Sequence, residues 1–155
     1  MTSDSFRLSR NEAGPEVVAE HLRACDAHFV PPLVGRVEID AYATKIASHA
    51  ERFEIWHNGH LVALVAAYCN APAREAAHIT NVSVLPTWHG RGLASRLLTR
   101  CLDHACKLGF ETIDLEVNSD NVPAVALYHK QGFRKAGDTR MSRTLQSPIE
   151  TPRHE

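Results

Sequence analysis

Gly90, Gly92 and Ala94 alternate with His89, Arg91, Leu93 and Ser95 just after an apolar run, Val82-Ser83-Val84-Leu85, that stops at Pro86. A strand that passes through a glycine-bracketed turn straight into a helix aims a row of backbone N–H groups at one spot, and the helix macrodipole adds partial positive charge there. The chemistry this favours is anion binding, with a phosphate or pyrophosphate as the natural guest. Two common phosphate readings are excluded by the spacing. The turn lacks the Gly-Lys-Ser/Thr ending of a nucleotide-triphosphate loop, and it lacks the third glycine of a dinucleotide fingerprint. A different phosphate-bearing ligand is required.

The elements around the turn can be read from periodicity and punctuation. Phe6-Arg7-Leu8 is strand-like, and Pro15 opens a helix in which Val17, Val18, Leu22 and Cys25 recur at three- and four-residue spacing. Pro31-Pro32 breaks the chain, and a second helix runs from about Asp40 to Ser48 with Ile39, Tyr42, Ala43 and Ile46 along one stripe. Arg52 to His57 and His60 to Cys69 flank Asn58-Gly59, the pair a type I′ hairpin turn wants because both central residues need φ > 0. The second of these runs is apolar at odd and even positions alike, as in a strand covered on both faces.

A strand from about Ala77 to Leu85 then leads into the turn. Beyond it, Leu93 to Leu108 places Leu93, Leu97, Leu98, Cys101, Leu102, Ala105 and Leu108 on one helical face, and Gly109 is its C-terminal stop. Thr112 to Val117 alternates as a strand, Asn121 to Lys130 reads as a helix closed by Gly132, and Phe133 to Ala136 and Thr139 to Leu145 complete the pattern. The order β-α-α-β-β-β-α-β-α-β-β implies a mixed α/β (α+β) domain, a single central mixed sheet flanked by helices.

Composition bounds the partners. A chain of 155 residues with 44% hydrophobic content fits one domain, expected over residues 1–146 with 147–155 as a flexible tail. With 17 basic against 18 acidic residues there is no broad electropositive surface, so neither nucleic acid nor an anionic membrane is an expected partner. Cys25, Cys69, Cys101 and Cys106 form no C-x-x-C pair and read as reduced thiols of a cytoplasmic protein. The start of the chain, Met1 to Ser5, has no basic segment followed by an apolar one. The histidines, among them His28, His49, His57, His60, His104 and His154, share no ligand spacing, and no metal is expected. A homodimer is compatible with a small enzyme of this size.

The turn, together with Asn121-x-x-Ala124-x-x-Leu127-Tyr128-x-x-x-Gly132-Phe133 one helix and one strand later, resembles the GCN5-related N-acetyltransferase (GNAT) family. The resemblance covers nearly the whole chain and is most specific over residues 80–136. It implies the GNAT-type acyl-CoA N-acyltransferase fold, with acetyl-CoA as cosubstrate and its pyrophosphate held by the amides of His89-Gly90-Arg91-Gly92-Leu93-Ala94 and Ser95. His89 departs from the family's Gln/Arg at that position, and a shorter, mostly neutral side chain weakens any direct phosphate contact. The pantetheine arm is expected along Val82, Ser83 and Val84, paired to the main chain like an added strand.

The same resemblance implies roles for single residues. Tyr128 matches a tyrosine placed to protonate the departing thiolate; its other reading is a helix residue packing its ring on the core. Glu116 matches a strand glutamate proposed as general base in members that acetylate protein N-termini, although a solvated or arginine-paired carboxylate fits as well. His78, Asn81 and Glu54 are rivals for handling the acceptor amine; Asn81 alternates with Ile79 and Ser83, and a bulge that the resemblance implies there re-aims side chains toward the acceptor. Asn121 is both an N-cap and a candidate pantetheine contact. Trp88 either covers the ligand or is an exposed loop aromatic, and Pro123 is tolerated in the first helical turn.

The activity implied is acetyl transfer to a primary amine by direct attack in a ternary complex. A small-molecule amine or amino sugar is the first choice of acceptor and a protein N-terminal amine the second. A non-catalytic acyl-CoA-binding sensor or partner subunit is the rival from another class.

Overall fold

The computed structural model describes residues 5–29, 32 and 38–145. Met1 to Asp4, Pro31 of the expected chain break, Gln146 and the expected tail over 147–155 lie outside the described residues. Seven strands and four α-helices follow the expected order: β1 (Arg7–Arg10), α1 (Pro15–Cys25), α2 (Ile39–His49), β2 (Glu51–His57), β3 (His60–Tyr68), β4 (Ala76–Val84), α3 (Leu93–Lys107), β5 (Thr112–Glu116), α4 (Val122–Lys130), β6 (Arg134–Lys135) and β7 (Arg140–Thr144). Short 3-10 turns at Asp26–His28 and Pro86–Trp88 were not expected.

The strands form one sheet in the order β1-β2-β3-β4-β5-β7-β6. Only β4 and β5 run parallel among these pairs, joined through the α3 crossover. The β2–β3 hairpin turns at Asn58 (φ 51°) and Gly59 (φ 79°), both left-handed as the type I′ turn requires.

Each face of the sheet has its own core. On one face α1 and α2 bury Val18, Leu22, Ala43 and Ile46 against Leu61, Leu64 and Ala66. On the other, Leu97, Leu98 and Cys101 of α3 and Tyr128 of α4 pack against Ile55, Val62, Val65, Ile113 and Leu115. The evenly apolar β3 is therefore covered on both sides. In α1 the buried stripe differs from expectation by one position: Val17 is exposed at 36%, and His21 joins Val18, Ala19, Leu22 and Cys25 inside.

The feature that shapes the site is where β4 and β5 part. Their pairing runs from Ala76↔Thr112 to Ile79↔Leu115 and stops, while β4 continues beside β3 to Val84. A bulge lies at the same place: Asn81 pairs with Ala66 and Ile79 with Ala67, so Thr80 has no register partner. The Tyr42 hydroxyl of α2 donates to Thr80 O at 2.6 Å and so holds the bulge from that face. Simple alternation would put Ile79, Asn81 and Ser83 on one face. The bulge instead leaves Ile79 in the α3 core and turns Asn81 and Ser83 toward α1.

Candidate active site

Past the bulge, the unpaired edge of β4 forms one wall of a cleft of about 500 Å³. Val82, Ser83 and Val84 line it, followed by Trp88, His89 and Gly90 in the turn and Gly92, Leu93, Ala94 and Ser95 at the start of α3. The opposite wall is Asn121, Pro123, Ala124, Leu127 and Tyr128 of α4, and Cys25 and Phe29 close the α1 end.

The turn is built as an anion cradle. Gly90 and Gly92 have φ of 81° and 75°, values that L side chains rarely adopt, and a Cβ at either would meet no protein atom within 4 Å. The space beside them is open to the cleft. Arg96 N bonds back to Gly92 O at 3.1 Å, so the amides of Leu93, Ala94 and Ser95 precede the first closed turn and have no helical carbonyl to bind. Gln131 Nε2 donates to Ser95 Oγ at 2.9 Å and ties the end of α4 to this helix start.

Two residues of the turn do something other than line the cradle. His89 Nε2 donates to Val84 O at 2.8 Å, so its ring closes the turn against the end of β4. The Arg91 guanidinium stacks over the Trp88 ring at 4.8 Å, and Trp88 in turn meets His57 and Phe6 at 4.5 and 5.4 Å. Trp88 is thus part of an aromatic cluster at the sheet edge while still lining the cleft.

Tyr128 is 7% exposed, with its ring edge-on to Phe133 at 6.0 Å. Burial pushes its pKa up, so the phenol holds its proton throughout the neutral range. Asn121 caps α4, accepting from Ala124 N at 3.4 Å, and also lines the cleft.

The rivals for the acceptor separate by position. Glu116 lies on the last residue of β5, beyond the final β4 pair, and accepts from Thr139 Oγ1 at 2.7 Å. It is exposed at the mouth of the split rather than within the cleft. His78 Nδ1 meets Asp114 Oδ1 at 2.6 Å, and Arg140 approaches the other oxygen at 3.4 Å, a surface ion cluster outside the cleft lining.

The suggestion that Glu54 handles the acceptor is corrected. Glu54 is 0% exposed and accepts from Ser9 Oγ at 2.7 Å and from the amides of Glu12 and Ala13 at 3.0 and 2.9 Å. It clamps the chain between β1 and α1 onto β2, and an acceptor molecule has no path to it.

His21 is the residue that pattern reading missed. Its signal was present: a histidine three residues after Val18 and four before Cys25 sits on the apolar stripe of α1. It bonds Ser83 Oγ on the cleft wall at 2.8 Å. Among the described residues no group of His, Cys, Asp and Glu is arranged to hold a metal ion, and no helix is long and apolar enough to cross a membrane.

Comparison with known proteins meets this geometry. The family model described as Acetyltransferase (GNAT) family matches residues 17–133. An uncharacterised N-acetyltransferase of Methanocaldococcus jannaschii is 33% identical over 82 residues, which is 50% of this chain and 36% of that protein. The [ribosomal protein bS18]-alanine N-acetyltransferase of Escherichia coli K12 is 32% identical over 84 residues, 54% of this chain and 55% of that one. The chain thus spans little more than half, or about a third, of these relatives. The crystal structure of the E. coli S18-alanine enzyme superposes with a TM-score of 0.76 at 22% identity, covering 92% of this chain and 96% of that one. The PaiA N-acetyltransferase of Thermoplasma acidophilum in complex with coenzyme A gives 0.68 at 14%, covering 90% and 99%.

Proposed function

Because the chain belongs to the Acetyltransferase (GNAT) family, we propose that it is an acetyl-CoA-dependent N-acetyltransferase that moves the acetyl group to a primary amine by direct attack in a ternary complex. The observation that carries this reading is one continuous cleft. It joins the unpaired edge of β4, a phosphate-sized amide cradle and the Tyr128 phenol. A thioester on a long polar arm with a pyrophosphate at its far end is the kind of substrate that uses all three.

In this reading the pantetheine lies along the cleft edge of Val82 to Val84, paired to the main chain as an added strand would be. The amides from Gly90 to Ser95 hold the pyrophosphate, with the macrodipole of the 15-residue α3 behind them. The amine attacks the thioester carbonyl carbon. The C–S bond breaks, and Tyr128 gives its proton to the departing thiolate. A primary ammonium must lose one proton before attack and a second as the amide forms. Glu116, exposed to solvent at the mouth, is suited to the first of these.

The acceptor is taken to be a small-molecule amine or amino sugar. The alanine α-amine of a polypeptide is the second reading, favoured by the similarity to the bS18-alanine enzyme. Incubation with acetyl-CoA and a panel of amino sugars, diamines and an alanine-initiated peptide, while free thiol is followed, tests the activity. Turnover on one class names the acceptor. Tight acetyl-CoA binding with no turnover on any amine supports the non-catalytic sensor instead.

A further inference from the structure

His21 is out of place on chemical grounds. It is 3% exposed on the buried stripe of α1, where an aliphatic residue would need no hydrogen bonds at all. Both of its ring nitrogens are committed. Leu61 O lies 2.9 Å from Nδ1, and a carbonyl only accepts, so Nδ1 carries the proton. Nε2 is therefore a lone pair. It faces Ser83 Oγ at 2.8 Å and receives the hydroxyl proton.

Asn81 Nδ2 donates into the same Ser83 oxygen at 2.8 Å. The network has a direction: amide to hydroxyl, hydroxyl to imidazole, imidazole to carbonyl. Burial keeps the ring neutral, with its pKa brought down to about 4. The chain ends on the cleft, because Ser83 is one of its lining residues. Of the two lone pairs on Ser83 Oγ, Asn81 uses one; the Cys25 thiol, 3.7 Å from His21 Nε2, lies against the same hydroxyl, a weak contact that a ligand N–H displaces.

We propose that Ser83 and His21 take the second proton of the acceptor amine, with Ser83 touching the amine and His21 acting through it; the proposal rests on the N-acetyl transfer reading above. The balance is complete. As the nitrogen lone pair forms the C–N bond, the nitrogen's proton passes to Ser83 Oγ and the Ser83 proton passes to His21 Nε2. The C–S bond breaks, the thiolate takes the Tyr128 proton, and once product has left the imidazolium passes its proton back through Ser83 to water in the open cleft, from which the phenolate is reprotonated. A buried imidazolium gives up its proton readily, which resets the pair.

Division of labour with Glu116 follows from burial. The exposed carboxylate deals with the ammonium in contact with water, and the sealed, uncharged pair deals with the neutral amine already in the cleft.

Ser83→Ala, Ser83→Thr and His21→Gln are compared in steady-state turnover of acetyl-CoA with an alanine-initiated peptide and with glucosamine, alongside calorimetric acetyl-CoA affinity and melting temperature. Ser83→Ala keeps every main-chain group along the pantetheine path. It is expected to lower kcat about a hundredfold with acetyl-CoA affinity unchanged. Ser83→Thr, which restores a hydroxyl, recovers most of the loss. Gln at position 21 retains a polar partner for Ser83 but cannot take its proton, so kcat falls as in Ser83→Ala, and the double variant is no worse than either single one.

Undiminished kcat in Ser83→Ala overturns the proposal while leaving acetyl transfer intact. So does full activity in His21→Gln, the result a purely structural network gives. If His21→Gln does not fold, the Ala and Thr variants at position 83 decide. Wild-type protein that binds acetyl-CoA but acetylates no amine of the full panel of amino sugars, diamines and alanine-initiated peptide brings down the transfer reading itself, and the role of the pair with it.

Discussion

A phenol that is to protonate a departing thiolate must keep its proton until the sulfur arrives, and the burial of Tyr128 secures that. Its ring also packs on Phe133, so removal of the hydroxyl alone is the informative change. Tyr128→Phe is expected to lower kcat by about a hundredfold and to leave acetyl-CoA affinity and melting temperature nearly unchanged. Steady-state kinetics beside calorimetry separates this from a packing role, in which kcat would survive. His21 makes a second prediction at this scale. It titrates at about 4 in the fold against 6.5 when free. Between those values the unfolded chain binds the extra proton, so the stability tied to a neutral His21 is complete above about pH 6.5 and is lost as pH falls toward 4. The full span is about 3 kcal/mol. Denaturant melts of wild type and His21→Gln across this window should differ by this slope, since the carboxylates and histidines common to both cancel in the difference.

At the scale of elements, two connections carry the argument. The β1–α1 connection is fastened by one carboxylate, Glu54, which takes the amides of Glu12 and Ala13 and the Ser9 hydroxyl. In Glu54→Gln one side-chain oxygen becomes an NH2 group set against a backbone N–H of Glu12 or Ala13, which can only donate. A loss of about 3 kcal/mol is expected, with kcat per folded molecule unchanged; a selective fall in kcat would return Glu54 to the chemistry. The β4–α3 turn is the reverse case, with little stability and much function at stake. Gly92→Ala forces an L side chain to φ 75° at a cost of about 1–2 kcal/mol, and its Cβ projects into the space the pyrophosphate would use. Acetyl-CoA affinity should fall by far more than the change in stability, measured on the same samples. Both elements illustrate what the sequence made legible. Gly90, Gly92, the Asn58-Gly59 hairpin and the helix stripes are local signals, in which residue type alone dictates backbone or face. The Thr80 bulge is not local. It exists because β3 and β4 slip by one residue and Tyr42 from α2 fixes the slip, so period-two alternation placed Ile79 with Asn81 and Ser83, and only the family resemblance implied a bulge there. The same non-local register brings His21 to Ser83, and another long-range contact, the β1–α1 connection folded onto β2, covers Glu54.

For the whole molecule, the sheet is two halves held by a short parallel seam. β1 to β4 form one antiparallel unit and β5, β7 and β6 the other, and direct pairing between them runs only from Ala76↔Thr112 to Ile79↔Leu115. Beyond the seam the halves diverge, and the cleft between them takes one wall from β4 and α3 and the other from α4. A ligand that spans the cleft therefore bridges both halves, and its binding energy adds to the stability of the whole rather than of one element. Coenzyme A at a hundredfold its Kd should contribute about 2.7 kcal/mol, which for a chain of this length raises Tm by roughly 5–11 °C. With a formal net charge of −1 the protein has no general attraction for anions, so the phosphate contribution must come from the cradle itself. Pantetheine, which keeps the arm and lacks the pyrophosphate, should give a much smaller shift at equal concentration, and Gly92→Ala should shrink the coenzyme A shift toward the pantetheine value. Equal shifts for the two ligands in wild type would place the binding energy along β4 alone and leave the turn without its assigned role.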